Sequence, residues 1–321
     1  MEKSRIVITL GDPAGIGPEI TAKLLSHDWV TDNYHIIISG NKHLLLKWLK
    51  KIPSNIEIVE EDKFSGFNFP TGITDKSAGE ASILYIKKAV ELIQAGEADA
   101  LCTCPINKKS IQMAGYDYKG HTDFLAELTN SPDYSMMLMC EYMKVVLATT
   151  HIPLREVSDS IKPDKLLKTI KNTHNAGKLF GVPNPKIAIS GLNPHSGDEG
   201  VIGFEEKEII SPAIDKAKKT FGFNIEGPFA ADSLFTGKKL SRYDFFIAMY
   251  HDQGLIPLKM KCFSEAVNVT LNLPIIRTSV DHGTAYDIAG KNIANENSLI
   301  LAVKTADKMV KNAKVNKNIQ G

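Results

Sequence analysis

Three histidines lie in segments whose composition suits metal binding. Each follows a short apolar run and comes shortly before Pro or Gly: His151 in ATTHIP, His195 in GLNPHSG and His251 in MYHDQG. This pattern is typical of a strand end, where open α/β sheets build their sites. Three neutral imidazoles with an open fourth position make a catalytic divalent-metal site. A single strand-end histidine is usually a hydrogen-bonded structural residue, but three in matching contexts favour metal binding.

The ligand type indicates which metals would bind. Three histidines suit Zn²⁺, Co²⁺ or Mn²⁺, whereas Mg²⁺ prefers oxygen ligands and would need them from a substrate. A three-histidine site with an open position also activates water. The histidines alone therefore leave a zinc hydrolase open as one interpretation.

A glycine-rich turn follows the first apolar run, in the order Gly11-Asp12-Pro13-Ala14-Gly15-Ile16-Gly17-Pro18-Glu19. Pro18 suits the first position of a helix, and such a turn offers backbone N–H groups to an anion. No Gly-Lys-Ser/Thr follows, so the turn is not a P-loop, and its glycines are spaced G-x-x-x-G-x-G rather than G-x-G-x-x-G. A tight structural turn and a ligand-binding loop fit this segment equally well.

Strand-like and helix-like segments alternate along the chain and must position these groups. The predicted strands are Ile6–Leu10, Ile36–Ser39, Ile56–Glu60, Ala100–Cys104, Val145–Thr149, Ile187–Ser190, Phe245–Met249 and Ala266–Leu271. The predicted helices are Glu19–Leu25, Ser77–Ala95, Asp164–Phe180, Glu205–Phe221 and Ala294–Lys311. This order predicts an α/β fold with a mostly parallel sheet that is covered by helices on both faces.

Two helix starts have local signals. Ser77 and Glu80 have the spacing of a capping box, which predicts that the longest early helix opens at Ser77. Pro163-Asp164 predicts the start of another helix, with proline in its first turn.

Composition limits the function classes. The chain has 321 residues, 43% of them hydrophobic, and a net charge of +1. That charge gives no field for nucleic acid or an anionic membrane, and no apolar run approaches the roughly 20 residues of a membrane span. The start of the chain has no signal-peptide pattern. We therefore predict a cytoplasmic protein of two domains without nucleic-acid or membrane partners.

The four cysteines are Cys102, Cys104, Cys140 and Cys262, and they form no C-x-x-C pair. They are predicted to be reduced thiols. Cys102 and Cys104 share one face at strand spacing, which favours small buried packing residues over metal ligands.

The segment Thr278–Lys291, with Asn295 after it, resembles the adenine-ribose-binding loop of the isocitrate and isopropylmalate dehydrogenases. The glycine-rich opening is similar to theirs as well. The resemblance implies a set of cofactor contacts: Gly15, Gly17, His282, Gly283, Thr284, Ala285, Asp287 and Asn295. A carboxylate at Asp287 accepts hydrogen bonds from ribose hydroxyls and repels a 2′-phosphate, so NAD is predicted as the cofactor, with NADP as the alternative.

The full set of motifs resembles the 4-hydroxythreonine-4-phosphate dehydrogenase family of vitamin B6 biosynthesis. The matching segments are Gly11–Ile20, Gly120–Phe124, Thr150–Pro153, Leu192–Gly197, Gly227–Asp232, Tyr250–Gly254, Ala266–Thr270 and Ile276–Thr284. The resemblance implies two α/β/α domains of the isocitrate/isopropylmalate dehydrogenase type with the active site in the cleft between them. We place the first domain at residues 1–130 plus 272–321, and the second at 131–271, with the metal ligands and a dimer interface.

The same resemblance implies the roles of single residues. His151, His195 and His251 would ligate one divalent metal, the third of them donated across the interface of a homodimer with a shared active site. The implied substrate contacts are His121, Thr122, Lys259, Asn268 and Arg277. Lys259 and Arg277 suit a phosphate or carboxylate because both are cationic donors. Their alternatives are an exposed strand lysine and a surface ion-pair arginine.

The implied reaction is the NAD-dependent oxidation of 4-phosphohydroxy-L-threonine at C3. The product, 2-amino-3-oxo-4-phosphooxybutanoate, loses CO2 to give 3-amino-2-oxopropyl phosphate in pyridoxine 5′-phosphate biosynthesis. A bound metal would act as a Lewis acid at the C3 oxygen. Candidates for the proton acceptor are Asp232, Asp252 and Lys259, because each lies beside a motif expected at the site.

Three other functions stay open. Asp123 stands where family members often carry Glu, so a D-threonate or D-erythronate 4-phosphate dehydrogenase of sugar-acid catabolism is the first alternative. A metal-dependent hydrolase is the second, although it would not need the cofactor loop. A non-catalytic phosphometabolite-binding protein on the same scaffold is the third.

Overall fold

The computed structural model describes residues 2–320, with side chains up to residue 316. It divides the chain into two compact units. The first comprises Met1–Pro132 and Leu273–Lys311, and the second comprises Asp133–Asn272 and Asn312–Gly321.

Within the described residues the strands are β1 (Arg5–Thr9), β2 (His35–Ser39), β3 (Glu57–Val59), β4 (Ala100–Thr103), β5 (Ser135–Met139), β6 (Lys144–Leu147), β7 (Ile187–Ser190), β8 (Ile225–Phe229), β9 (Phe245–Ala248), β10 (Val267–Leu271) and β11 (Ile276–Val280). The helices are α1 (Gly17–Leu25), α2 (Asp28–Asn33), α3 (Lys42–Leu45), α4 (Lys76–Gln94), α5 (Lys108–Met113), α6 (His121–Leu128), α7 (Val157–Ser160), α8 (Pro163–Ala176), α9 (Ser211–Phe221), α10 (Ala231–Leu234), α11 (His251–Cys262) and α12 (Asn297–Gln320).

The strands of the first unit run in the order β3-β2-β1-β4-β11, and every neighbouring pair is parallel. The central strand β1 is almost entirely shielded from solvent, with Ile6, Val7 and Ile8 all 0% exposed. Parallel strands covered on both faces read as continuous apolar runs. The apolar run of β1 therefore predicted this strand from the sequence.

The strands of the second unit run in the order β10-β5-β6-β9-β7-β8. The pairs β6–β9, β9–β7 and β7–β8 are parallel, whereas β5 is antiparallel to both of its neighbours. A hairpin turn joins β5 to β6, since antiparallel neighbours need only a short connection. The prediction of an α/β fold with a mostly parallel sheet is confirmed.

The sequence analysis did not identify β5, β8 and β11. The β5 segment reads SMMLM and has no β-branched residue, β8 reads IEGPF and contains Gly and Pro, and β11 reads IRTSV with a buried arginine. β5 therefore lacks β-branched residues, β8 is interrupted by Gly and Pro, and the centre of β11 is polar, so none of them has the apolar β-branched run that marks a strand. Tertiary contacts within each sheet decide these segments rather than local propensity.

The start of α4 differs from the prediction. The helix begins at Lys76, and the side chain of Asp75 caps it by accepting a hydrogen bond from the Ala78 N–H at 2.9 Å. The predicted capping box at Ser77 and Glu80 is therefore wrong, because an aspartate two residues earlier provides an equally good cap. The predicted start of α8 at Pro163 is confirmed.

Two of the four cysteines are joined, which corrects the prediction that all are reduced. Cys140 lies just after β5 and Cys262 ends α11, and a disulfide connects them across a sequence separation of 122, with Cα atoms 6.4 Å apart. That spacing is usual for a disulfide, and no local sequence pattern could reveal it. Cys102 and Cys104 are free and fully buried, and burial raises the pKa of the Cys102 thiol to about 12.

Among the residues described, no helix has the length and apolar content that a membrane crossing requires.

Candidate active site

The turns that follow β1, β4 and β11 meet at one edge of the first unit's sheet. The three strands are parallel, with β4 paired to both β1 and β11, so their carboxyl ends point the same way. The glycine-rich turn follows β1, Cys104-Pro105 follows β4, and the predicted cofactor loop follows β11. In open α/β sheets, ligands bind at this edge.

The glycine-rich turn packs directly against the predicted cofactor loop. The Ile16 N–H donates to the Thr284 carbonyl at 3.1 Å. A Cβ atom at Gly15 would lie 2.9 Å from the Thr284 side chain, and one at Gly17 would lie 2.0 Å from the Leu10 carbonyl oxygen. Both glycines are therefore required by close packing. Their contact with a cofactor stays a prediction.

The remaining predicted cofactor residues line a short loop before α12. Thr284 is buried, Gly283, Asp287 and Asn295 are exposed, and Ala285 has a left-handed φ of 43°. The Asn295 side chain accepts a hydrogen bond from the Asn297 N–H at 2.8 Å, at the start of α12. The carboxylate of Asp287 is thus accessible to a ligand.

A buried cation lies on β11. Arg277 is 1% exposed, and its guanidinium donates to the Thr103 hydroxyl at 2.7 Å. Burial lowers the pKa of Arg277 to about 10, so the side chain remains charged at neutral pH. The surface ion-pair alternative is therefore wrong for Arg277, because the side chain is not at the surface.

His121 begins α6 and lies within the electrostatic reach of Arg277. Burial, and then the positive charge of Arg277, lower the pKa of His121 well below its ordinary value, so its imidazole is neutral. Its Nε2 atom is shielded from solvent and has no hydrogen-bond partner among the described residues. Thr122 follows in the first turn of the helix. A buried cation beside an imidazole and a helix N-terminus suits an anionic group.

The three predicted metal ligands follow β6, β7 and β9 of the second unit. These strands are parallel, with β9 between β6 and β7, so the three histidines leave the same edge of the sheet. The Thr149 hydroxyl donates to the Met249 carbonyl at 2.7 Å, and the Gln253 amide donates to the Gly191 carbonyl at 2.7 Å. These bonds join the segments that carry His151, His195 and His251.

His151 and His251 lie side by side. Their ring centroids are 5.6 Å apart, with the ring planes inclined at 47°. Two imidazoles bound tetrahedrally to one ion at about 2.1 Å would place their centroids about 5 Å apart. The Nδ1 atom of His251 lies 2.7 Å from an Asp252 carboxylate oxygen, as in the carboxylate–histidine pairs that orient metal ligands.

His195 does not complete this pair within one chain. It is exposed and has a left-handed φ of 53°. No group of three His, Cys, Asp or Glu side chains within the described part of the chain is arranged to hold a metal ion. The three-histidine site stays a prediction.

A buried glutamate that the sequence analysis missed holds the loop of His195. Glu206 is 5% exposed, and one of its carboxylate oxygens accepts hydrogen bonds from the N–H groups of Leu192 and Asn193, each at 2.7 Å. Its other oxygen accepts from the Asn193 side chain at 3.0 Å. The contacts join positions 13 and 14 residues apart, so no motif spacing signals them.

The other predicted residues of the second unit are distributed over three elements. Asp232 is exposed on α10, and Asn268 lies on β10 with its Oδ1 atom buried and without a hydrogen-bond partner in the described range. Lys259 lies on helix α11. The alternative of an exposed strand lysine is therefore wrong, because Leu258–Lys261 continues the helix that begins at His251.

The chain is similar to known proteins over nearly its whole length. Residues 24–306 match the family model described as "Pyridoxal phosphate biosynthetic protein PdxA". The 4-hydroxythreonine-4-phosphate dehydrogenase of Sulfurihydrogenibium sp. is 44% identical over 316 residues, which cover 94% of this chain and 97% of the relative. The D-threonate 4-phosphate dehydrogenase of Salmonella typhimurium is 38% identical over 324 residues, 95% of this chain and 99% of the relative.

Solved structures agree with this relationship. The crystal structure of 4-hydroxythreonine-4-phosphate dehydrogenase from Klebsiella pneumoniae superposes with a TM-score of 0.86 at 34% identity, over 96% of this chain and 100% of that chain. Isocitrate dehydrogenase from Methylococcus capsulatus has a TM-score of 0.53 at 13% identity, over 99% of this chain and 88% of that chain. The second likeness is one of fold alone, and it confirms the predicted isocitrate dehydrogenase type of fold.

Proposed function

Because the chain belongs to the family of the pyridoxal phosphate biosynthetic protein PdxA, we propose that it oxidises 4-phosphohydroxy-L-threonine at C3 with NAD. The product, 2-amino-3-oxo-4-phosphooxybutanoate, then loses CO2 to give 3-amino-2-oxopropyl phosphate. In this proposal the chain is an oxidoreductase of vitamin B6 biosynthesis.

The observation that supports this proposal most strongly is the buried cation Arg277 beside the neutral His121. The unit contains a charged guanidinium that is 1% exposed, and a guanidinium presents forked N–H donors that match a phosphate or carboxylate. We propose that it binds a phosphate or carboxylate of the substrate, with Thr122 contributing a further donor. Lys259 and Asn268 also stay predicted substrate contacts.

We propose NAD as the hydride acceptor, bound by the loop after β11 and the glycine-rich turn. The carboxylate of Asp287 is exposed and would accept hydrogen bonds from the ribose hydroxyls, whereas it would repel the 2′-phosphate of NADP. The protein's task is to hold the substrate C3 against the nicotinamide and to exclude water.

The residues of the second unit fit a divalent metal in donor type. His151 and His251 lie close enough to bind one ion, and we propose Zn²⁺, Co²⁺ or Mn²⁺ rather than Mg²⁺ because the donors are imidazoles. When bound, such an ion supplies Lewis-acid polarisation of a substrate oxygen. His195, or a histidine of a second subunit, would complete the ligand set.

The contact of Asp252 with His251 favours a role in orienting that imidazole. Asp232 and Lys259 then remain as the candidates for the group that accepts the proton of the C3 hydroxyl. A proton acceptor must come within hydrogen-bonding distance of that hydroxyl in the bound substrate.

We propose that two copies of the chain form a homodimer that shares its active sites. Helix α11 and the residue after it expose large apolar side chains: Ile256 is 57%, Met260 84% and Phe263 82% exposed. Ile256 and Met260 are four residues apart and therefore share a helix face. The element that begins with His251 thus presents apolar surface for a partner.

A cytoplasmic location stays a prediction.

The test is NADH formation with 4-phosphohydroxy-L-threonine and with D-threonate 4-phosphate, measured side by side with Zn²⁺ and after chelation. We expect metal-dependent turnover of the amino acid. Turnover of D-threonate 4-phosphate alone would overturn the substrate and favour the second candidate, which rests on Asp123 and on the similarity to the Salmonella typhimurium enzyme. No turnover of either would contradict the dehydrogenase proposal.

A further inference from the structure

The glycine-rich turn and the predicted cofactor loop share a side-chain bond that the sequence analysis did not identify. The Tyr286 hydroxyl donates to an Asp12 carboxylate oxygen at 2.7 Å. Asp12 is 0% exposed, and its other carboxylate oxygen accepts from the Ala14 N–H at 2.8 Å. One carboxylate therefore shapes the turn with one oxygen and holds the loop with the other.

Other contacts surround this phenol. The Tyr286 hydroxyl lies 3.2 Å from the Ser110 hydroxyl, which also lies 3.3 Å from the Asp75 N–H. A Cβ atom at Gly72 would lie 2.8 Å from the Tyr286 carbonyl oxygen. The phenol of Tyr286 is thus contacted from the side of α5, and the backbone of Tyr286 lies close to the segment before α4.

The backbone beside Tyr286 needs such an anchor. Ala285 has a left-handed φ of 43°, which is disfavoured for an L-residue other than Gly and persists only where the surroundings impose it. The Ala285 carbonyl accepts hydrogen bonds from the N–H groups of Ile288 at 3.0 Å and Ala289 at 3.1 Å. The turn that carries Asp287 therefore starts at the strained residue.

We propose that Tyr286 is a positioning residue for the dinucleotide, acting through Asp12. With its phenol directed into the unit, the next residue, Asp287, faces solvent. This arrangement places the carboxylate of Asp287, which we assign to the ribose hydroxyls, at the surface of the loop. The inference rests on the proposed NAD site and extends it, because Tyr286 itself is not assigned a contact with the cofactor.

Burial makes the bond between Tyr286 and Asp12 consequential. Burial raises the pKa of Asp12, and the hydrogen bond from Tyr286 opposes that rise. Loss of the phenol would leave a buried carboxylate oxygen with one donor fewer, which is costlier than losing a solvated contact. The backbone bond between Ile16 and Thr284 would still join the loop to the turn, but the side-chain bond that fixes the position of Tyr286 would be lost.

The test is Tyr286→Phe in the full chain with its metal, with Tyr243→Phe as the matched control. Tyr243 also donates from its phenol to a carboxylate, that of Glu226, but it lies in the second unit and outside every predicted cofactor contact. We expect Tyr286→Phe to raise the KM for NAD about tenfold, equivalent to about 1.4 kcal/mol. The KM for the phosphorylated substrate should not change, and Tyr243→Phe should leave both constants unchanged.

Hydrogen exchange of the peptide 282–291 without NAD gives a second readout that does not depend on turnover. The amides of Ile288 and Ala289 should exchange faster in Tyr286→Phe than in wild type, whereas Tyr243→Phe should leave their exchange unchanged. An unchanged KM for NAD together with unchanged exchange would overturn the inference and leave the proposed function intact. Absence of NAD binding by the wild-type chain would instead overturn the proposed function, whatever the exchange shows.

Discussion

The two units treat their predicted site residues in opposite ways. In the first unit the key groups are buried and joined to one another: Arg277 is 1% exposed and bonded to Thr103, and Asp12 is 0% exposed and bonded to Tyr286. In the second unit His151 and His195 are exposed, and His251 has 36% of its side chain exposed. The groups of the proposed anion and dinucleotide sites are therefore fixed by contacts within the first unit, whereas the three histidines lie at least partly at the surface of the second.

Burial and exposure give the two sets of residues different ways of selecting a ligand. A buried cation is held in one geometry by the protein around it, so its ligand is selected by a preformed site. Exposed imidazoles gain their geometry when a metal binds, and binding requires the unprotonated ring. We therefore expect variants of Arg277 to change substrate use and variants of the second unit's histidines to change metal content.

The largest expected effect comes from removing the buried cation. Arg277→Met should reduce kcat/KM for the phosphorylated substrate about 1,000-fold, because the anion loses a desolvated charge partner. Arg277→Lys keeps the charge without the forked donors, so it should lose less. The KM for NAD in both variants serves as the control, and a loss of less than tenfold in the Met variant would remove Arg277 from the substrate site.

The next largest effect should be a loss of bound metal from variants of His251 and Asp252 in the second unit. His251→Ala should lose bound metal, and Asp252→Asn should weaken metal affinity about 10- to 100-fold, because Asp252 orients the imidazole. Elemental analysis after gel filtration measures both. His174→Gln is the control within the same unit, since His174 stacks on Phe223 instead. Full metal occupancy in His251→Ala would contradict the assignment.

The disulfide should contribute to the free energy of unfolding of the second unit. Reduction of Cys140–Cys262, which closes a loop with a sequence separation of 122, should lower the free energy of unfolding by about 3 kcal/mol. Urea unfolding with and without dithiothreitol measures this, and a Cys140→Ser/Cys262→Ser variant should not respond to the reductant. Identical midpoints for the oxidised and reduced wild type would show that the bond does not contribute.

The smallest expected effect is a pH dependence of stability from His121. Its pKa is lowered in the folded state, so the unfolded chain binds more protons below about pH 6.5, the usual histidine value. Stability contributed by His121 is present above that pH and is lost as the pH falls below it. Thermal unfolding between pH 5 and 7.5 should show a shallower decline for His121→Gln than for wild type, and parallel curves would refute the burial argument.

The sequence predicted those parts of the fold and site that local patterns encode. The apolar run of β1, the proline start of α8 and the strand-end positions of the three histidines are all short-range features. What it missed depends on distant contacts. Glu206 supports the loop of His195 from a position 13 or more residues away, and Tyr286 meets Asp12 across 274 positions.

Some errors were local and arose because two good signals competed. Asp75 and Ser77 are both residues that cap helices, and only the packed chain selects Asp75. The segment Leu258–Lys261 belongs to a helix that carries both Gly254 and Pro257. Both residues disfavour a helix interior, so local propensity does not indicate this helix. The helix forms because it packs on the sheet, where a Cβ at Gly254 would lie 2.6 Å from Val145.

In the proposed dimer, one chain supplies the anion site and two chains complete the metal site. Subunit complementation tests this arrangement directly: an inactive Arg277→Met chain is unfolded and refolded together with an inactive His151→Ala, His195→Ala or His251→Ala chain. If one histidine comes from the partner, one of the three mixtures should regain NADH formation, because its hybrid dimer contains one intact site. No recovery in any mixture, with refolded wild type fully active, would contradict a shared site.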